Sequence, residues 1–169
     1  MSCVLLADDS PHALRMGEQI LRAEGFEVVC AEDGPSAAAK LADSDLDVMV
    51  VDAFLPTTSG FDLCRQVKAD PTRRHIRVVL TAGMLDNFHE DQATAAGADG
   101  VLRKPFEATG VARTVKAMAA AAKEVRAKVS PKLEVDAERV RAAVTLALEA
   151  SLPRMIDDLS ERVLLALRR

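Results

Sequence analysis

Val48-Met49-Val50-Val51-Asp52 runs four apolar residues straight into a carboxylate. A strand with one wet face would alternate. A run with no polar side predicts a strand covered on both faces, as in a parallel sheet. Similar runs lie around it: Val4-Leu5-Leu6-Ala7, Val28-Val29-Cys30, Ile76 to Leu80, and Gly100-Val101-Leu102. Between the runs the pattern changes to helical. Pro11 to Glu24 opens with Ser10 as cap and proline at the first helical position, and Gly25 ends it. Ser36 to Ala42, Gly60 to Ala69, Asp86 to Ala96 and Glu107 to about Lys128 supply four more, with Gly97 closing the fourth.

The alternation of strand and helix predicts a doubly wound α/β domain, a five-stranded parallel sheet with helices on both faces. Ligands of such sheets sit outside the carboxyl ends of the strands. Asp8 and Asp9 follow the first strand, Asp52 the third and Thr81 the fourth. Lys104, just before Pro105, follows the fifth. Three carboxylates converging on one edge repel each other unless a cation lies among them, and a hard divalent ion with oxygen ligands, Mg2+, meets that need. Lys104 adds a second positive charge and Thr81 a hydroxyl. The set suits transfer of a phosphoryl group onto a carboxylate. Cations neutralise the phosphoryl oxygens, the carboxylate attacks, and the hydroxyl binds the product. One acid after a strand is more often a turn former or helix cap, and Asp9-Ser10 before Pro11 fits that role as well. The joint placement of all five points to chemistry.

Leu5-Leu6-Ala7-Asp8-Asp9-Ser10, Val50-Val51-Asp52-Ala53-Phe54-Leu55-Pro56 with Gly60, Leu80-Thr81-Ala82, and Ala96 through Lys104-Pro105-Phe106 occur in order. Together they resemble the receiver domains of two-component response regulators, over roughly residues 3 to 124. The resemblance implies a flavodoxin-like sheet of order 2-1-3-4-5 and a phosphorylation-dependent switch. It implies that Asp52 accepts the phosphoryl group from a histidine kinase or a phosphotransfer protein. Asp9 would be a direct Mg2+ ligand, with Asp8 its partner, and the backbone carbonyl of Phe54 would complete the metal site with Asp52. Thr81 would be the switch hydroxyl and Lys104 the characteristic lysine, aimed inward by a cis Lys-Pro peptide. Such a chain catalyses only its own phosphorylation and dephosphorylation and is not otherwise an enzyme. The sequence departs from the pattern at one point. Receivers usually carry an aromatic residue three positions before the lysine, and Val101 stands there.

An aspartyl-nucleophile phosphatase of the haloacid-dehalogenase type also uses Mg2+, Asp, Thr and Lys. That family wants a second acid two residues after the nucleophile, where this chain has Phe54. A receiver-like scaffold without phosphorylation is a third reading, opposed by the intact acidic set.

Composition bounds the rest. Apolar residues make up 49% of the 169, so a core can be buried, and without Trp or Tyr it must be aliphatic and rich in alanine. There is no long apolar run and no basic N-terminal region, so neither a membrane span nor a signal peptide is expected, and the expected location is cytoplasmic. Cys3, Cys30 and Cys64 are odd in number and widely spaced, which reads as small hydrophobes rather than a disulfide or metal site. The net charge of −4 is carried by the main domain, whereas residues 125–169 hold nine Lys/Arg against seven Asp/Glu. An acidic domain with a mixed tail gives no reason to expect nucleic acid. His12, His75 and His89 fit no ligand spacing and read as solvated positions.

Ser130-Pro131 breaks the chain after the fifth helix, dividing a receiver at 1–127 from a helical extension at 128–169. Helices are expected over 135–151 and 153–168. Leu152, Ile156, Leu159, Val163 and Leu167 form one apolar stripe, and Val140, Val144 and Leu148 another. Stripes this apolar need cover. They pack on each other or the receiver, or they bind a partner or a second copy as a homodimer. The tail is too short for an ordinary DNA-binding domain, so output through contact with another protein is expected.

Overall fold

The computed structural model describes residues 1–43, 45–105, 107–129, 141–142, 144–146, 152 and 156. The chain divides into two compact units, Met1–Val129 and Ser130–Arg169. In the first, five strands alternate with five helices: β1 (Cys3–Ala7), α1 (Pro11–Ala23), β2 (Glu27–Ala31), α2 (Gly34–Asp43), β3 (Val48–Asp52), α3 (Gly60–Ala69), β4 (Arg77–Gly83), α4 (Glu90–Ala96), β5 (Gly100–Lys104) and α5 (Ala108–Val129). The strands are all parallel, in the order β2-β1-β3-β4-β5.

Successive side chains of a strand point to opposite faces, and the sheet sorts its apolar residues accordingly. Val4, Leu6, Val48, Val50 and Val79 pack with Leu14 and Leu21 of α1 and Val111 and Val115 of α5. Leu5, Met49, Val51, Val78 and Leu80 pack with residues of α2, α3 and α4 on the other face. All five residues of β3 are buried, as the run at Val48 demands of a central strand. Each fully buried Leu, Val or Met contributes roughly 1.5–3 kcal/mol.

Helix ends follow the punctuation in the sequence. Ser10 caps α1, its Oγ accepting from the Ala13 N–H at 3.3 Å. Gly97 ends α4 at φ +82°, a left-handed conformation that costs glycine little. Gly60 opens α3 directly against β3. A Cβ there would lie 2.3 Å from the Asp52 carbonyl oxygen, so only glycine lets the helix start this close to Asp52.

Three expectations shift. Helix α4 begins at Glu90 rather than Asp86, because Asp86 turns back to accept from the Gly83 N–H and Phe88 is drawn into the core. β4 and β5 run on to Gly83 and Lys104, so Thr81 and Lys104 lie within strands rather than after them. His75 is half-buried, not solvated. Its Nε2 lies 3.2 Å from the Leu46 carbonyl oxygen and 3.0 Å from the Arg126 guanidinium. Arg126, on the last turn of α5, also reaches Asp47 at 3.4 Å, tying that helix to the sheet edge opposite Asp52. His12 and His89 are exposed, as expected.

Of the expected tail helices, 135–151 and 153–168, the greater part lies outside the described residues, with Val140, Leu148, Leu159, Val163 and Leu167 among it. Arg141, Ala142, Val144 to Leu146, Leu152 and Ile156 are helical. Val144, Leu146, Leu152 and Ile156 are exposed.

Candidate active site

The alternation that builds the core also assembles the site. Counting by twos from Leu6, Val50, Val79 and Leu102 leads to Asp8, Asp52, Thr81 and Lys104, so the four lie on the side of the sheet that faces α1 and α5. The register pairs Asp52 with Thr81 and Gly83 with Lys104, which brings the ends of β3, β4 and β5 level.

Asp8 and Asp52 are 3% and 6% exposed, a burial that aspartates seldom adopt unpaired. Their neighbours explain it. The Ser10 N–H donates to Asp8 Oδ1 at 3.0 Å, and the Phe54 N–H donates to Asp52 Oδ1 at 2.7 Å. The Lys104 ammonium bridges the other oxygens, donating to Asp8 Oδ2 at 2.5 Å and to Asp52 Oδ2. Burial works against that ammonium, but its hydrogen bonds to Asp52 and Asp8 outweigh the cost, and Lys104 holds its proton above the ordinary lysine range. The turn-forming and capping role expected of Asp9-Ser10 divides differently: Asp8, not Asp9, accepts the turn hydrogen bond, and Ser10 caps α1.

Asp9 is exposed and completes the acidic group. Asp8, Asp9 and Asp52 each offer an oxygen, and these oxygens lie within 4.8 Å of one another. Three carboxylates at that spacing can hold one hard divalent cation. Thr81 is buried and lies opposite Asp52 in the register of β3 and β4. The Lys104–Pro105 peptide is cis.

Phe54, two residues past Asp52, is 46% exposed, its ring edge-on to Phe61. Val101, half-buried, packs with the core on the α3/α4 face. Two features escaped the sequence reading. The Arg103 guanidinium lies over the buried ring of Phe88, 4.6 Å from its centroid. Asp99 accepts from Lys68 at 2.5 Å, Arg77 at 2.6 Å and the Val78 N–H at 2.8 Å. Phe88 was visible only as a lone aromatic in a polar stretch, and Asp99 as one acid in a turn.

A doubly wound sheet carrying buried acids, a hydroxyl and a lysine at one carboxyl edge defines a class of phosphoryl-accepting switches. Residues 4–116 match the response regulator receiver domain, and the chain belongs to that family, whose members are signalling switches of two-component systems. It is 38% identical over 104 residues to the response regulator PleD of Caulobacter vibrioides, covering 62% of this chain and 23% of that protein. It is 29% identical over 114 residues to the protein PilG of Pseudomonas aeruginosa, covering 68% of this chain and 84% of that one. The chemotaxis response regulator CheY4 of Vibrio cholerae superposes with a TM-score of 0.64 at 28% identity, over 70% of this chain and 98% of the other. The chain thus matches less than a quarter of PleD's length. Among the described residues, no helix is long and apolar enough to cross a membrane.

Proposed function

We propose that Asp52 is the phosphoacceptor of a signalling switch and that Asp8, Asp9, Asp52 and the Phe54 carbonyl bind Mg2+. The observation that carries this reading is the meeting of two buried aspartates and Lys104 from three separate strands. Burying such charges is costly, and a stable fold without this task would do as well with apolar residues there. Bound among the carboxylates, Mg2+ would offset negative charge on the incoming phosphoryl group. An Asp52 carboxylate oxygen forms the new bond to phosphorus, and the donor's bond to phosphorus breaks with its electron pair staying on the donor. Lys104 passes from the Asp52 carboxylate to a phosphoryl oxygen. The Thr81 hydroxyl donates to another once the product has formed.

The donor in this reading is a histidine kinase or a phosphotransfer protein, and the output is a contact with another protein. The switch transforms no other substrate and works in the cytoplasm, with neither nucleic acid nor membrane as partner. The receiver occupies 1–127, and the extension 128–169 holds two copies together through its apolar stripes. The exposed Val144, Leu152 and Ile156 support that part of the reading.

The test is labelling by acetyl phosphate. The wild-type chain should gain one phosphoryl group in the presence of Mg2+, and Asp52→Asn or chelation should abolish it. Normal labelling of Asp52→Asn would move the acceptor elsewhere.

A further inference from the structure

The last two residues of β5 carry cations to opposite faces of the sheet. Lys104 turns to Asp8 and Asp52, and Arg103 turns to the loop that joins β4 to α4. The guanidinium of Arg103 is held there in three ways. It lies over the Phe88 ring at 4.6 Å, its Nη2 donates to the Phe88 carbonyl at 3.2 Å, and its Nη1 reaches the Gly83 carbonyl at 3.5 Å. It therefore spans both ends of the loop 83–88. Phe88 is itself fixed: its ring stacks on Phe61, with centroids 5.6 Å apart. Phe61 in turn meets Phe54 edge-on at 6.0 Å.

The arrangement closes on the acceptor. The Phe54 N–H holds one oxygen of Asp52, and Lys104 holds the other. From Phe54 the rings of Phe61 and Phe88 lead to Arg103, which is joined to Lys104 by a peptide bond. The position of this loop of contacts matters because β5 is an edge strand, hydrogen-bonded among the described residues to β4 alone. Its final pair is Gly83 with Lys104, and Pro105 behind it offers no N–H to extend the ladder. Strand ends of this kind open easily. Lysine is a point charge on a flexible stem and does not fix its own direction. Whatever holds the backbone at 103–104 therefore sets where the ammonium sits.

We propose that Arg103, clamped by Phe88, is a positioning residue for phosphoryl acceptance: it fixes the end of β5 so that Lys104 is delivered to Asp52. The inference rests on Asp52 being the acceptor. The clamp also ties the setting of Lys104 to the loop bearing the exposed Met84 and Leu85, so a movement of the ammonium toward a phosphoryl group is felt there without a ring at position 101.

The experiment follows acetyl phosphate labelling of the full chain at saturating Mg2+, with Mg2+ affinity measured separately by calorimetry. Arg103→Met keeps the stem and removes the cation. It should slow labelling about tenfold, equivalent to about 1.4 kcal/mol on the barrier. Mg2+ affinity should not fall, because the three carboxylates are untouched and a displaced Lys104 competes less for them. Arg103→Lys, which retains a cation over the ring, should recover most of the rate. Phe88→Leu should reproduce the Arg103→Met rate, and the double variant should be no slower than the worse single, since both remove one device. Labelling of Arg103→Met at the wild-type rate would overturn the clamp, as would failure of lysine to rescue it or an equal loss of Mg2+ affinity. Phe88 is buried, so if Phe88→Leu does not fold, the exposed Arg103 still decides the matter. A silent Asp52→Asn beside a fast Arg103→Met rejects the clamp alone, whereas labelling of Asp52→Asn rejects the acceptor assignment beneath it.

Discussion

Lys104 and Asp52 meet across an intervening strand: the ammonium from the end of β5 donates to Asp52 Oδ2 at the end of β3, with Thr81 on β4 between them. The same ammonium serves Asp8, so it neutralises the carboxylates that would also hold a divalent cation. Lys104→Met removes that charge. In the absence of Mg2+ the variant should unfold more readily than wild type by about 1–3 kcal/mol, the cost of leaving buried acceptors without their cation. Mg2+ should then stabilise the variant more than the wild type, because it binds the freed carboxylates more tightly. Urea unfolding with and without Mg2+ measures both. An equal Mg2+ increment in the two proteins would show that ammonium and metal do not share these groups.

Phe54 lies two residues past the acceptor, half exposed and braced by Phe61. Its ring offers no group to orient a water molecule for attack on a phosphoryl-aspartate. Phosphorylated wild type should therefore decay more slowly than phosphorylated Phe54→Asn, by several-fold on the time course of phosphate release. Equal decay would mean that the ring does not control access of water.

Thr81 is buried beside Asp52, whereas Val101 is an aliphatic side chain packed on the α3/α4 face. Beryllofluoride should alter hydrogen exchange in the loop 83–88 of the wild type. Thr81→Ala should diminish that change, and Val101→Ala should leave it in place while lowering stability by about 1 kcal/mol. Comparable losses from both substitutions would assign position 101 a part in the coupling.

Asp99 gathers Lys68, Arg77 and the Val78 N–H at the foot of β4 and β5. Burial raises its pKa, but those donors more than reverse the effect, and the carboxyl lies below the ordinary aspartate range. A depressed pKa means that the folded state holds the carboxylate more firmly than the unfolded chain does. Its contribution is complete above the unfolded value of about 3.9 and fades as pH falls through the lower folded value. Asp99→Asn should cost about 2–3 kcal/mol at pH 7. The gap from wild type in thermal or denaturant melts should close only in strong acid. A gap that closes between pH 7 and 5 would point to another titrating group.

For the tail the readout is mass in solution. Burying apolar side chains is worth roughly 1.5–3 kcal/mol each, enough in sum to hold two chains together. Light scattering should find the full chain dimeric or larger. The 1–127 truncation and the double variant Ile156→Glu/Leu159→Glu should be monomeric. A full chain that stays monomeric at micromolar concentration, phosphorylated or not, would rule out self-association and leave docking or a separate partner.

The apolar runs at Val4, Val28, Val48, Ile76 and Gly100 and the caps Ser10 and Gly97 specified the strand and helix order from sequence alone, because burial and backbone conformation leave local, periodic marks. Their places just past the apolar runs were enough to put Asp8, Asp52, Thr81 and Lys104 at one edge, because the strands of a doubly wound sheet are parallel and their carboxyl ends lie together. The tertiary structure decided where the strands stop, since Thr81 and Lys104 join the ladder only when a neighbouring strand offers partners, and where α4 starts, since Asp86 and Phe88 find better contacts outside a helix. It alone set Lys104 on Asp52, 52 residues away, and Asp99 on the Val78 N–H, 21 residues away. It likewise seated Arg103 on Phe88, 15 residues away. Such contacts leave no periodic trace, because each depends on two strand or loop ends brought level by the register of the sheet, and no local propensity encodes that distance.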